Sequence, residues 1–252
     1  MKTKSYLEVR DLNATYTDRR GSLHVLNSLS FEVREGEFVC LLGPSGSGKS
    51  TLLRILAGLV PISSGSVILN GKAVRGPQPG VSLVFQDANL MPWRTIMENI
   101  SLPLELRGQS NGAAGAKAQA MIELVGLSGF EAALPGDLSG GMAQRVALGR
   151  ALVQDPEILL MDEPFGSLDA LTRERMGDEL VRIWEADHKT VMLVTHNINE
   201  AVYLADRVLV LSARPAQIKM DLAIRLPRPR RPEMHYTPEF GKLASKLRAA
   251  IE

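Results

Sequence analysis

Cysteine is nearly absent from this 252-residue chain, with Cys40 the only one. An internal disulfide is therefore excluded, and the usage fits a reducing compartment. Cys40 lies in the apolar run Phe38-Val39-Cys40-Leu41-Leu42, which predicts a small buried hydrophobe rather than a reactive thiol. Long apolar runs are missing too. A spanning helix needs about 20 mostly apolar residues, and runs such as Ile158-Leu159-Leu160-Met161 or Val191-Met192-Leu193-Val194 have only the length of buried strands. The first residues, Met1 to Tyr6, lead into alternating polar and apolar positions without the apolar core of a signal peptide. The expectation is a chain that is neither exported nor membrane-spanning. Charge of one sign is lacking as well: 29 Lys plus Arg stand against 28 Asp plus Glu, which argues against a protein built mainly to grip nucleic acid. What is present is an ordinary globular composition, 45% hydrophobic and 23% charged. At this size roughly 70% of the unfolded chain's surface is buried on folding, enough for a core without staples.

Residues 6–42 read as strands. Tyr6-Leu7-Glu8-Val9-Arg10 and Leu29-Ser30-Phe31-Glu32-Val33 alternate with period two, and Glu35-Gly36 offers a tight turn before the run at 38–42. Behind a Gly/Ser loop, Leu52, Leu53, Ile55, Leu56 and Leu59 fall at helical spacing, with Gly58 and Pro61 as stop signals. Two more strands are expected at 66–71 and 81–85. Helical texture dominates from about 95 to 154, and strands return at 158–162, 191–195 and 208–211 around a helix at about 169–186. Strands alternating with helices imply a mostly parallel sheet covered on both faces, and the all-helical insert implies a subdomain. From 213, Arg225, Arg228, Arg230 and Arg231 interleave with Pro227, Pro229 and Pro232, which suggests an extended connector before a short terminal helix, either solvated or in contact with anionic lipid head groups.

Gly43-Pro44-Ser45-Gly46-Ser47-Gly48-Lys49-Ser50-Thr51 fits the phosphate-loop pattern G-x-x-x-x-G-K-[ST]. Glycines let the backbone curl so that successive N–H groups face one phosphate chain, and the following helix adds its N-terminal partial charge. Lys49 can reach the outer phosphates and the Ser50 hydroxyl can ligate Mg²⁺. A buried strand at 158–162 would deliver Asp162 and Glu163 to the carboxyl edge of the sheet, where ligands bind in open α/β folds. Asp162 is placed to hold the Mg²⁺ shell through water, and Glu163 to polarise an attacking water. Ser139 is a plausible N-cap, and the Gly140-Gly141 helix start exposes N–H groups that form a second anion site.

With these motifs in place, the chain resembles the ATPase subunits of ATP-binding cassette (ABC) transporters, over about residues 5–212. The resemblance implies an α/β fold: a P-loop NTPase (RecA-like) core with an antiparallel β subdomain and an inserted α-helical subdomain at about 89–155, followed by a short C-terminal extension, 213–252. Further matches stand in the family's order and approximate spacing. Tyr16 occupies the place of a ring stacked on adenine. Gln86 matches the glutamine that touches Mg²⁺ and links the site to the transport partner. Leu138–Met142 matches the signature, Ser167-Leu168-Asp169 the loop that carries an aspartate across a dimer interface, and His196 the histidine at the γ-phosphate. Similar ATPases dimerise head to tail around two ATP molecules, so Gly43–Thr51 would bind ATP in cis while Ser139 and Gly141 bind the γ-phosphate in trans. The catalytic set implied is Glu163, His196, Gln86 and Lys49, with Ser50, Gln86 and Asp162 toward Mg²⁺.

Leu90-Met91-Pro92-Trp93-Arg94-Thr95 and Glu98-Asn99-Ile100, the signature region and the Leu-Pro-Arg-Pro-Arg tail resemble the importer branch serving nitrate, sulfonate, taurine and similar solutes. That branch implies integral membrane permease subunits, a solute-binding protein, a homodimer or pseudo-symmetric dimer of ATPase subunits, no nucleic acid, and a peripheral position on the cytoplasmic face of the cell membrane. Two departures stand out: Met142 replaces the usual signature Gln, and Gly149 occupies a helical position more often Ala, at a cost of about 1 kcal/mol. The alternatives are an exporter or lipid-trafficking ATPase, or a soluble ABC ATPase acting on nucleic acid or ribosomes. Against the soluble class, about 90 residues separate Lys49 from Ser139, too few for coiled-coil arms, and there is one cassette.

Overall fold

The computed structural model describes residues 5–18, 21–166, 168–187 and 189–252; the expectations that rest on Met1 to Lys4 and on Ser167 fall outside them. The chain opens with two antiparallel 14-residue strands, β1 (Ser5–Asp18) and β2 (Gly21–Arg34). The inward set of β2 includes Leu29, Phe31 and Val33, as its period-two pattern requires. Gly36, at φ +72°, turns the chain into β3 (Phe38–Leu42), buried along its whole length. Helix α1 (Lys49–Leu56) follows the glycine loop directly, and β4 (Ser64–Leu69) and β5 (Lys72–Ala73) return to the first sheet. That sheet has the order β2-β1-β4-β5.

β6 (Val81–Val84) begins the second half of the central sheet. Then come α2 (Ile96–Leu106), α3 (Asn111–Leu124) and α4 (Gly140–Leu152). α2 starts on a reciprocal cap, Thr95 accepting from Glu98 N–H while the Glu98 carboxylate accepts from Thr95 N–H; it runs on through Pro103. The three helices share their own core of Ile96, Ile100, Ala118, Ile122 and Val146, all fully buried. Gly149 sits where α4 crosses α2, and a Cβ there would lie 3.1 Å from Ile100 Cδ1. The missing methyl is a packing feature, not a blemish.

β7 (Ile158–Asp162), α5 (Ala170–Asp187), β8 (Thr190–Val194), α6 (Ile198–Leu204) and β9 (Arg207–Leu211) complete the alternation. β7 and β8 are buried throughout, as strands covered on both faces must be. The central sheet has the order β10-β9-β3-β8-β7-β6, parallel from β9 to β6. Cys40 is fully buried at its centre, and burial pushes its thiol well above the usual range.

The C-terminal segment differs from the sequence expectation. β10 (Ile218–Ala223) pairs antiparallel with β9, so a boundary at 212 falls between two strands of one sheet. Nor is the Arg/Pro stretch solvated throughout: Arg225 and Arg231 are exposed, but Arg228 and Arg230 pack onto the body. The Arg228 guanidinium lies 4.0 Å over the Trp184 ring, with Nε 3.0 Å from Asp206 Oδ1 and Nη2 donating to Leu204 O at 2.8 Å. Arg230 is buried and donates to Ala205 O. Guanidinium planes pack on aromatic faces and long side chains bury their stems, so composition alone misreads them as solvated. α7 (Pro238–Ile251) then buries Phe240, Leu247 and Ala250 against the central-sheet core. Among the described residues no helix is long and apolar enough to cross a membrane.

Candidate nucleotide site

The loop between β3 and α1 supplies the base of the site. Gly46 (φ +73°) and Gly48 (φ +103°) take left-handed conformations, and a Cβ on Gly48 would come 2.6 Å from Val25 Cγ1. Glycine is required there both by backbone and by space. The Lys49 ammonium folds back over the loop to donate to Gly43 O and Pro44 O, each at 2.9 Å, leaving one of its three protons for a ligand. Burial pulls its pKa below the usual lysine value, opposed by the Glu163 and Asp162 carboxylates. Ser47 Oγ is buried without a hydrogen-bond partner among the described residues. The spare Lys49 proton is open to a phosphate in the cavity that Lys49 lines.

At the end of β7, Asp162 Oδ1 accepts from Ser50 Oγ at 2.9 Å. Burial raises the Asp162 carboxyl above its ordinary range, against the lowering effect of the Ser50 hydrogen bond. Glu163 leaves the strand in the left-handed region, φ +46°, with its N–H on Val194 O. Its Oε2 lies 3.0 Å from His196 Nδ1. A carboxylate only accepts, so the proton of that contact belongs to Nδ1. Gly166 makes room for this cluster: a Cβ there would be 3.3 Å from Glu163 O and 3.7 Å from Gln86 Nε2.

These groups converge on one cavity of about 510 Å³, lined by Tyr16, Leu23, Val25, Ser45, Gly46, Gly48, Lys49, Ser50, Thr51, Gln86, Glu163, His196 and Arg214. Tyr16, 42% exposed, lies within reach of Thr51, OH to Oγ1 3.4 Å. Asp162, Gly43, Pro44 and Ser47 stand just behind this lining. Leu23, Val25 and Arg214 went unmarked in the sequence: the first two are ordinary strand residues by pattern, and Arg214 belongs to no spaced motif.

Ser139, Gly140, Gly141 and Asp169 are not brought to this cavity. Ser139 caps α4, its Oγ accepting from Met142 N–H at 3.3 Å, and Asp169 Oδ1 accepts from Thr172 N–H at 3.0 Å at the start of α5. The two helix starts adjoin, since a Cβ on Gly141 would meet Thr172 Cγ2 at 3.0 Å. Met142, in place of the usual Gln, is partly buried against the core of α2 to α4. The segment after β6 is tied to α4 twice, by Gln144 Nε2 to Phe85 O at 3.1 Å and by Arg150 to Ala88 O and Asn89 O at 2.7 and 2.9 Å.

Comparison with known proteins gives the family. Residues 26–166 match the family described as ABC transporter. A Methanocaldococcus jannaschii ABC transporter ATP-binding protein is 50% identical over 91% of this chain and 85% of its own length. The nitrate import ATP-binding protein NrtD of Synechocystis sp. is 42% identical over 98% and 95%. The aliphatic sulfonates import ATP-binding protein SsuB of Bacillus cereus is 41% identical over 89% and 88%, and the taurine import ATP-binding protein TauB of Rhizobium johnstonii 41% over 97% and 96%. Among solved structures, a dimeric ATP-binding cassette in a post-hydrolysis state, bound to ADP and Pi, superposes with a TM-score of 0.78 at 31% identity, covering 88% of this chain and 100% of that one. The fold, the phosphate loop with its facing carboxylates, and these relatives lead to one conclusion: the chain belongs to the ABC transporter family, as an ATP-binding and ATP-hydrolysing protein.

Proposed function

We propose that this chain is the ATPase subunit of an importer for a small solute such as nitrate, a sulfonate or taurine, working as a head-to-tail dimer on membrane permease subunits served by a solute-binding protein. The observation that carries the reading is the division of the two anion sites. The cavity holds the phosphate loop, Gln86, Glu163 and His196, whereas Ser139 to Gly141 and Asp169 present a second set of helix starts elsewhere. A single chain cannot apply both to one ATP; two chains related head to tail can.

In that arrangement Gly43 to Thr51 hold the phosphates of ATP, Tyr16 faces the adenine, and the partner's signature start closes on the γ-phosphate. Glu163 takes the proton of the attacking water, and His196 holds that carboxylate in line. Mg²⁺ fits beside them, since the Ser50 hydroxyl, the Asp162 carboxylate and the Gln86 amide oxygen are hard donors. Bound there, the ion neutralises phosphate charge. The helical segment at about 89–155 is the part that answers to the permease. Trp93 is 74% exposed on a loop that the buried Asn99 pins through Met91 N–H, Met91 O and Arg94 O. Gln144 and Arg150 link the glutamine segment beneath it to α4. A push on this surface is thereby passed to Gln86 and to the signature start together.

The test is the company the chain keeps. Affinity purification from detergent-solubilised membranes is expected to bring down a polytopic membrane protein, and ATP hydrolysis by that complex should rise on adding solute and binding protein. Recovery with DNA or ribosomes instead would refute the importer reading.

A further inference from the structure

The connection between β9 and β10 passes directly over the phosphate loop. It is fixed at both flanks. Ala216 N–H donates to Val25 O at 2.8 Å, Asn27 N–H donates to Ala216 O at 2.9 Å, and Ser212 N–H donates to Gln217 O at 2.9 Å. The connection therefore clamps β2 of one sheet to the end of the other, at the cavity wall formed by Val25. Arg214, between those anchors, lines the nucleotide cavity. Its guanidinium approaches Gly46 so closely that a Cβ on that glycine would lie 3.2 Å from Nη2. No hydrogen bond or ion pair to Arg214 occurs among the described residues, so its donors face the cavity uncommitted. A second cation on the wall of the cavity that Lys49 also lines, with no carboxylate partner among the described residues, is open to a polyanion.

We infer that Arg214 is a phosphate ligand of the bound nucleotide, supplied from the segment beyond residue 212 and held in place by the strand pairing of β10. The inference rests on the nucleotide-site reading above and extends that site past the residues that carry the family's motifs.

The experiment measures ATP affinity of the full-length chain by fluorescent-nucleotide displacement, with melting temperature as a check on folding. Arg214→Ala and Arg214→Gln are each expected to weaken ATP about tenfold, the scale of one charge-assisted hydrogen bond, with melting temperatures unmoved. Arg214→Lys should recover part of the loss, because a point charge replaces a fork. ATP affinity unchanged in Arg214→Ala, or Arg214→Lys no better than Arg214→Gln, would overturn the assignment. Lys49→Ala separates the two levels. If it too binds ATP normally, the phosphate-loop reading itself has failed; if it alone weakens binding, only the role of Arg214 has.

Discussion

A carboxylate placed one residue past a buried strand must be aimed by its backbone, and Glu163 is aimed by a φ of +46°. For a side chain with a Cβ this conformation costs about 1–2 kcal/mol, which the Val194 hydrogen bond and the packing around Gly166 offset. Its neighbour in the same polar cluster, Glu200, carries a different burden. Burial pushes its carboxyl above the usual range, against the Thr195 hydroxyl and Arg173, which pull it down, and Oε1 has no hydrogen-bond partner among the described residues. The fold thus favours the neutral acid, so its stabilising contribution is full at low pH and is lost as pH rises through the raised pKa. Glu200→Gln should therefore melt above wild type at pH 8 and level with it at pH 4; a lower melting temperature at pH 8 contradicts this. At this scale the sequence was legible where chemistry is contiguous. Lys49, Ser50, Asp162 and Glu163 stand beside strand ends that the apolar runs announce. Arg214 was not, because its position depends on how two sheets meet.

Among the elements, α4 does the most. It begins at Ser139, crosses α2 at Gly149, and grips the segment after β6 through Gln144 and Arg150. Propensity alone predicts that Gly149→Ala gains about 1 kcal/mol. Contact with Ile100 Cδ1 at 3.1 Å should consume most of that gain, because α2 must move or Ile100 must change rotamer. A double-mutant cycle with Ile100→Val, read by urea melts, is expected to show favourable coupling, the shorter side chain making room for the new methyl. Strict additivity would mean the crossing has slack. Periodicity found the strands of the central sheet because buried parallel strands are continuous apolar runs. It missed β10, whose residues alternate half-buried and exposed at a sheet edge, a pattern that the flanking arginines and prolines make look like connector.

For the whole molecule, the near-neutral chain, in which no described helix is long and apolar enough to cross a membrane, carries the cavity proposed for ATP and, apart from it, the Ser139 helix start proposed as the trans site. Mixing two inactive variants tests that division. Lys49→Ala lacks the cis site and Ser139→Arg the trans site, so a mixed dimer retains one intact composite site. Phosphate release from the mixture should exceed the sum of the separate variants severalfold; a simple sum argues against composite sites. The proposal of a shared site comes only from the family resemblance, since nothing local in Leu138–Met142 distinguishes such a site from an ordinary capped helix. The role of Glu163 is tested by phosphate release from Glu163→Gln, with bound nucleotide and mass measured in parallel. If Glu163 takes the proton of the attacking water, turnover falls by about a hundredfold or more while ATP stays bound and an ATP-dependent dimer forms; turnover close to wild type would mean that Glu163 has no such role.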